Sequence, residues 1–178
     1  MAVGRLMFMA GLAGLGATAM APVAHAAGPV TRAKVALTGP DGRQLGDAKL
    51  RDTPSGLEVT VRGRGLPPGP HGLHLHMVGR CLAPDFASAG GHWNPTGHAH
   101  GRDNPRGAHA GDLPNLSIDA DGRGRLRFVV PGARLIGSGG LLDEDGGALV
   151  IHAGPDDYRT DPSGNSGGRI ACGVVLPG

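Results

Sequence analysis

The chain has 178 residues, enough for one domain with a substantial hydrophobic core. It carries 34 glycines and 15 prolines but only 3% aromatic residues, a balance that excludes a helix-rich fold and favours short strands joined by tight turns. The formal charge is +2, or +1 once a leader containing Arg5 is set aside, which gives no case for nucleic acid or an anionic membrane as partner.

The first residues form a separate unit. Arg5 supplies a positive start, residues 6–20 are apolar or small, and Ala24-His25-Ala26 fits a small-x-small cleavage site. Residues 1–26 therefore read as a secretory signal peptide and residues 27–178 as the mature domain. A membrane anchor is the competing reading. It is disfavoured because Gly11, Gly14 and Gly16 dilute a run already shorter than the ~20 residues that a spanning helix needs. No cysteine stands at the cleavage point to take a lipid, so no stable membrane association is expected after cleavage. Export, periplasmic or fully secreted, puts the chain in an oxidising compartment. There its 2 cysteines, Cys81 and Cys172, are expected to pair across 91 positions.

Residues 31–37 and 43–50 read as strands about the turn Gly39-Pro40-Asp41-Gly42. Residues 55–64 alternate, with Leu57, Val59 and Val61 on one side and Glu58, Thr60 and Arg62 on the other, the pattern of a half-buried strand. Pro67-Pro68-Gly69-Pro70 breaks the chain. In the strand that follows, His74 and His76 alternate with Leu73 and Leu75, so both imidazoles leave one face. Residues 78–113 show no periodicity, and a loop of that length needs something to order it. Metal coordination and a disulfide would serve.

Residues 114–119 and 124–130 form a hairpin about Ala120-Asp121-Gly122. Leu126 and Phe128 occupy one face of its second strand and Arg123, Arg125 and Arg127 the other. Residues 131–147 connect onward, with Asp143-Glu144-Asp145 as a solvated turn. Residues 148–152 are a short apolar strand ending in His152, residues 154–168 a second irregular loop, and residues 169–175 a closing strand that holds Cys172. About eight antiparallel strands with two long ordered loops make an all-β Greek-key barrel or sandwich.

Seven of the 9 histidines fall within residues 71–112, with Asp112 three positions after the last of them. Such a cluster points to bound metal. Two ligand sets can be assembled. His100, His109 and Asp112 with His92 give three imidazoles and a carboxylate, suited to tetrahedral zinc. His74, His76 and His152 with the same His92 give an all-imidazole set, suited to copper. One imidazole can bridge two cations once both its nitrogens are deprotonated. Spacing alone does not establish that bridge.

The runs Gly72-Leu73-His74-Leu75-His76, Gly91-His92-Trp93-Asn94-Pro95, His109-Ala110-Gly111-Asp112-Leu113 and Gly164-Asn165-Ser166-Gly167-Gly168-Arg169-Ile170-Ala171-Cys172-Gly173-Val174 resemble copper/zinc superoxide dismutase in its bacterial secreted form. The resemblance extends over residues 31–175. It implies copper at His74, His76, His92 and His152, zinc at His92, His100, His109 and Asp112, and His92 as the bridge. It implies a disulfide between Cys81 and Cys172, and an anion-guiding role for Arg169. It also implies that Asp156 hydrogen-bonds one ligand of each metal. The implied reaction turns superoxide into dioxygen and hydrogen peroxide, with His92 also acting as a proton donor. Relatives of this form include monomers and dimers, so a homodimer stays open.

Departures from the pattern are few. Met77 stands where relatives of this type carry an acid, and it removes no ligand. His71 and His98 have no family role; His71 is expected to cap a strand start and His98 to be an exposed loop histidine near His100. The competing reading is an exported, non-catalytic copper- or zinc-binding domain for buffering or delivery. Loss of a copper ligand or of Arg169 would favour it, and all are present.

Overall fold

In a computed structural model of the chain, Met1 and residues 30–178 are described; the leader expected at residues 1–26 lies, Met1 aside, outside the described residues. Alternation builds the sheet. β1 (Arg32–Thr38), β2 (Gln44–Thr53) and β3 (Gly56–Arg64) run antiparallel, and in β3 Leu57, Val59 and Val61 are each 0% exposed while Arg62 and Arg64 face solvent. Burying each of these three side chains contributes roughly 1.5–3 kcal/mol. A charge at Val59 would place an unpaired ion at the centre of this layer.

After β3 come β4 (Gly69–His71), β5 (Leu73–His76), β6 (Leu116–Ile118), β7 (Arg123–Pro131), β8 (Ala148–His152), β9 (Arg169–Val174) and β10 (Leu176–Pro177). The main sheet has the order β5-β8-β9-β1-β2-β3-β7, with β10 beside β1, and β4 and β6 form a separate pair. That pair joins the two ends of the main sheet. β6 turns tightly into β7 through Asp119–Arg123, while Leu113 N–H donates to Leu73 O at 3.2 Å and Leu75 N–H to Gly111 O at 2.9 Å. The sheet thereby curls on itself, and the core fills the inside with leucine and valine. The only helical segment among the described residues is a 3-10 turn at Ala87–Ala89.

The structure adds to the sequence reading in several places, the short closing strand β10 among them. β2 continues to Thr53 because Arg51, Asp52 and Thr53 keep pairing with Glu58, Leu57 and Gly56; their polarity hides that extension. β4 lies within the proline-rich break, where Pro70 pairs with Ser117. A proline is tolerated there because β4 pairs only with β6, so the missing N–H interrupts no ladder on its other side. His71 does not cap a strand start. It ends β4, is 3% exposed, and its ring nitrogens lie 2.7 Å from His152 O and 2.8 Å from Pro67 O. It ties the proline segment to the end of β8.

Candidate metal centre

The edge of the sheet at β5 and β8 holds the first part of the site. β5 pairs with β8, His152 N–H donates to Gly72 O at 2.8 Å, and the rings of His74 and His152 stand 4.8 Å apart. The long loop then lays His92 on the same edge through an antiparallel bridge to His76 and a 2.8 Å bond from Trp93 N–H to Leu75 O. Gly111 crosses here so closely that a Cβ would fall on Leu75 O, so only glycine fits. The His92 ring is 3.9 Å from His74, 5.0 Å from His76, 5.2 Å from His100 and 5.4 Å from His109. It sits at the junction of both groups.

Hydrogen bonds fix the tautomers. His76 Nδ1–H donates to Gly90 O at 2.9 Å and His152 Nδ1–H to Gly167 O at 3.0 Å. His74 Nε2–H donates to Asp156 Oδ2 at 2.8 Å and His100 Nε2–H to Asp156 Oδ1 at 3.0 Å. On His74, His76 and His152 the other nitrogen is then a bare lone pair. His74 Nδ1, His76 Nε2, His92 Nε2 and His152 Nε2 are all buried without a hydrogen-bonding partner among the described residues. Four orphaned acceptors in one place are costly unless a cation takes them up. His74, His76, His92 and His152 offer nitrogens within 4.8 Å of one another, a geometry that suits a metal accepting only imidazole.

A second group gathers on Asp112. Its Oδ1 lies 2.9 Å from His92 Nδ1, 3.1 Å from His100 Nδ1 and 3.2 Å from His109 Nδ1. By proximity alone His74 also joins His92, His100 and Asp112 within 4.8 Å. His109 is the better fourth member, because its Nδ1 is 3.3 Å from His92 Nδ1 while His74 Nε2 is held by Asp156. Three imidazoles and one carboxylate match a tetrahedral borderline cation. Asp112 Oδ2 is itself held by the N–H groups of Gly101 and His109, which fixes its orientation.

Electrostatics separates the two groups. Burial lowers His74 to about 3, His76 to about 2 and His152 to about 4, so all three are neutral donors at physiological pH. Burial also lowers His92. For His100 burial acts downward too, but the carboxylates of Asp112 and Asp156 outweigh it and raise the ring to about 9. Burial would raise Asp112 and Asp156; hydrogen bonds from the surrounding histidines, His100 foremost, hold both below the usual carboxylate range instead. The region around Asp112 and Asp156 thus favours positive charge, which a metal ion supplies as well as a proton does.

Asp156 is 3% exposed and spans the two groups, with one oxygen on His74 and the other on His100. Three residues that sequence reasoning did not single out support it or its neighbour. Asn115 Oδ1 accepts from Asp156 N–H at 2.8 Å, Tyr158 N–H donates to Asp156 Oδ1 at 2.7 Å, and Asp161 Oδ1 accepts from His100 N–H at 2.6 Å. Asn115 and Asp156 lie on separate loops, so no spacing rule could have joined them. Gly164 has φ +63, and a Cβ there would fall on Asp156 Oδ1.

Arg169 starts β9 opposite His152 and is half-buried. Its guanidinium donates to Phe86 O and Gly90 O, each at 2.6 Å, which leaves the cation fixed near the imidazole edge. The Cys81–Cys172 disulfide forms as expected, with Cα atoms 5.7 Å apart, and fastens the long loop to β9. His98 is exposed, its Nδ1 3.1 Å from Ala108 O, and stands outside both groups. Met77 is 50% exposed beside His76.

A family model described as copper/zinc superoxide dismutase matches residues 44–175. The Cu-Zn superoxide dismutase 2 of Aquifex aeolicus is 45% identical over 147 residues, covering 81% of this chain and 86% of that relative. A Cu-Zn superoxide dismutase of Caulobacter vibrioides is 42% identical over 139 residues, covering 76% and 80%. Among solved structures, a superoxide dismutase-like protein from Bacillus subtilis matches with a TM-score of 0.77 at 42% identity, covering 80% of this chain and 97% of that chain.

Proposed function

The chain belongs to the copper/zinc superoxide dismutase family, and from that premise we propose that its metal centre converts two superoxide ions and two protons into dioxygen and hydrogen peroxide. The observation that carries this reading is the set of four converging, orphaned imidazole nitrogens beside a carboxylate-anchored group that shares His92. His74, His76, His92 and His152 would hold copper. His92, His100, His109 and Asp112 would hold zinc. Bound copper supplies a one-electron couple, taking an electron from one superoxide and returning it to the next, and bound zinc supplies fixed positive charge without redox change.

The chain's own residues do the rest. Arg169, pinned by two carbonyls, presents a cation that draws and orients a small anion. Nε2 of His92 takes up and releases a proton for peroxide formation, a general acid whose basicity burial already weakens. Asp156 and the carbonyls of Gly90 and Gly167 hold the ring orientations throughout.

The non-catalytic alternative is not favoured, because the full imidazole set and the pinned Arg169 are present together. Metal content and superoxide consumption are to be measured on purified protein and on His152→Ala. Activity should fall to background with loss of copper and retention of zinc; undiminished activity would overturn the copper assignment.

We further propose export to the periplasm or medium with cleavage after residue 26, supported by the leader-like composition and by a disulfide suited to an oxidising compartment. Fractionation of cells expressing the full chain, with the N-terminus of the product sequenced, tests it. Retention of an uncleaved chain in the membrane fraction would refute it. Sedimentation of the product decides between monomer and homodimer.

A further inference from the structure

Charge is segregated on this fold in a way that its near-neutral total conceals. The outer face of β1, β2, β3 and β7 carries alternate residues into solvent, and strand register stacks them in rows. Arg62 stands directly opposite Arg125, and Arg64 opposite Arg123. On the neighbouring strands Lys34 stands opposite Lys49, and Arg32 opposite Arg51. All of these side chains are exposed. Like charges directly opposite across strands destabilise a sheet, so four such pairs on one face work against the isolated fold.

Little on the face neutralises them. Glu58 is shared by Arg51 at 3.1 Å and Arg127 at 2.7 Å, and Asp47 reaches only Arg64 at 3.7 Å. Asp119, at the turn into β7, is held by the N–H groups of Asp121 and Arg123. Among the described residues, Arg32, Lys34, Lys49, Arg62, Arg123 and Arg125 have no carboxylate within 4.0 Å, while Arg51, Arg64 and Arg127 share the two acids.

The face is also shaped. One hollow is lined by Arg62, Arg64, Arg123 and Arg125 with Asp47 and Asp119, a second by Arg32, Lys34, Lys49 and Arg51 with Glu58, and Arg62 and Arg125 border both, so bases outnumber acids in each. The two join into one track, along which successive rows lie about 6.6 Å apart. Arginine predominates, and its planar fork fits phosphate oxygens in pairs. No aromatic side chain points outward from these strands, so stacked bases find no platform. Among the described residues Leu176, on β10 opposite Lys34, is the one exposed large apolar side chain bordering them, and a single leucine offers a bilayer interior little to hold.

We propose that this face docks a linear polyanion built of phosphate groups. The track lies on the half of the sheet away from β5 and β8, so a docked molecule keeps its metal centre open to solvent and substrate. The proposal does not depend on the metal assignment.

The test uses the full metal-loaded protein with long-chain inorganic polyphosphate as probe, followed by fluorescence anisotropy. Binding is expected at 50 mM salt and should weaken at least ~10-fold by 200 mM, because several phosphate contacts release counterions together. Orthophosphate at equal phosphate concentration should not compete. The two variants Arg125→Glu and Lys49→Glu each place an acid opposite a base, so each should melt no lower than wild type and yet bind polyphosphate at least ~10-fold more weakly. Their metal content should be unchanged. Undiminished binding by both variants, affinity independent of salt, or tighter binding to anionic phospholipid vesicles or to single-stranded DNA than to polyphosphate would each overturn the proposal.

Discussion

Replacing Asp156 with asparagine tests the idea that one carboxylate orients both halves of the metal centre. The carboxylate accepts from His74 Nε2–H at 2.8 Å, His100 Nε2–H at 3.0 Å and Tyr158 N–H at 2.7 Å. Asparagine keeps a single acceptor oxygen and sets an NH2 group against one of the two imidazole donors. One ring loses its anchor, and the other loses a charged partner. A hydrogen bond to a charged group contributes about 1.5–3 kcal/mol. At about 1.4 kcal/mol per tenfold, that is a 10–100-fold loss of metal affinity, the range known for groups that orient metal ligands. The assay is chelator competition for copper and for zinc on the purified variant, with thermal melting of the metal-free forms as a control for folding. If Asp156→Asn folds and holds both metals within about threefold of wild type, Asp156 is not an orienting group and the reasoning fails.

Arg169→Ala should keep both metals, since Arg169 ligates neither, while superoxide consumption falls by about 10-fold or more and loses much of its salt dependence; unchanged salt dependence would contradict a guiding role. In the metal-free protein, stability should climb from about pH 4 to 6.5, because unfolding returns the buried His74, His76 and His152 to their ordinary 6.5 and the unfolded chain binds more protons in that window. His100 works in the opposite sense. Raised to about 9, it contributes fully below 6.5 and loses that contribution as pH rises toward 9. A melting temperature of chelated protein that rose steadily to pH 9 would contradict this account. Cys172→Ser should cost up to about 4–5 kcal/mol in denaturant unfolding, the chain-entropy value for the 91-residue separation; a cost near zero would mean that the loop is ordered without its link.

How much could be read in advance depends on where each signal resides. His74 and His76 announce themselves by alternating with Leu73 and Leu75, and the seven-histidine run makes metal the natural inference. His152 carries no such mark and is placed by resemblance and then by its pairing beside β5. The carbonyls that hold Arg169 and His71 are backbone atoms, and no residue type advertises them, so the buried cross-link made by His71 was out of reach. The prolines of β4 and β10 masked short strands, because a missing N–H reads as a break even where only one edge needs to bond. Charge was misleading in its sum. Only strand register shows that its cations share one face.

Two glycines in the C-terminal part of the loop at residues 154–168 set a rule for anyone stiffening this enzyme. Gly168 has open space where a methyl would go, whereas at Gly164 the same methyl would land on the carboxylate shared by two imidazoles. Alanine scanning of the segment should therefore divide sharply, with one substitution accepted and the other costing the protein its cargo of metal before it costs the fold. Rigidity in this loop is free to be added at Gly168 and is already spoken for four residues earlier.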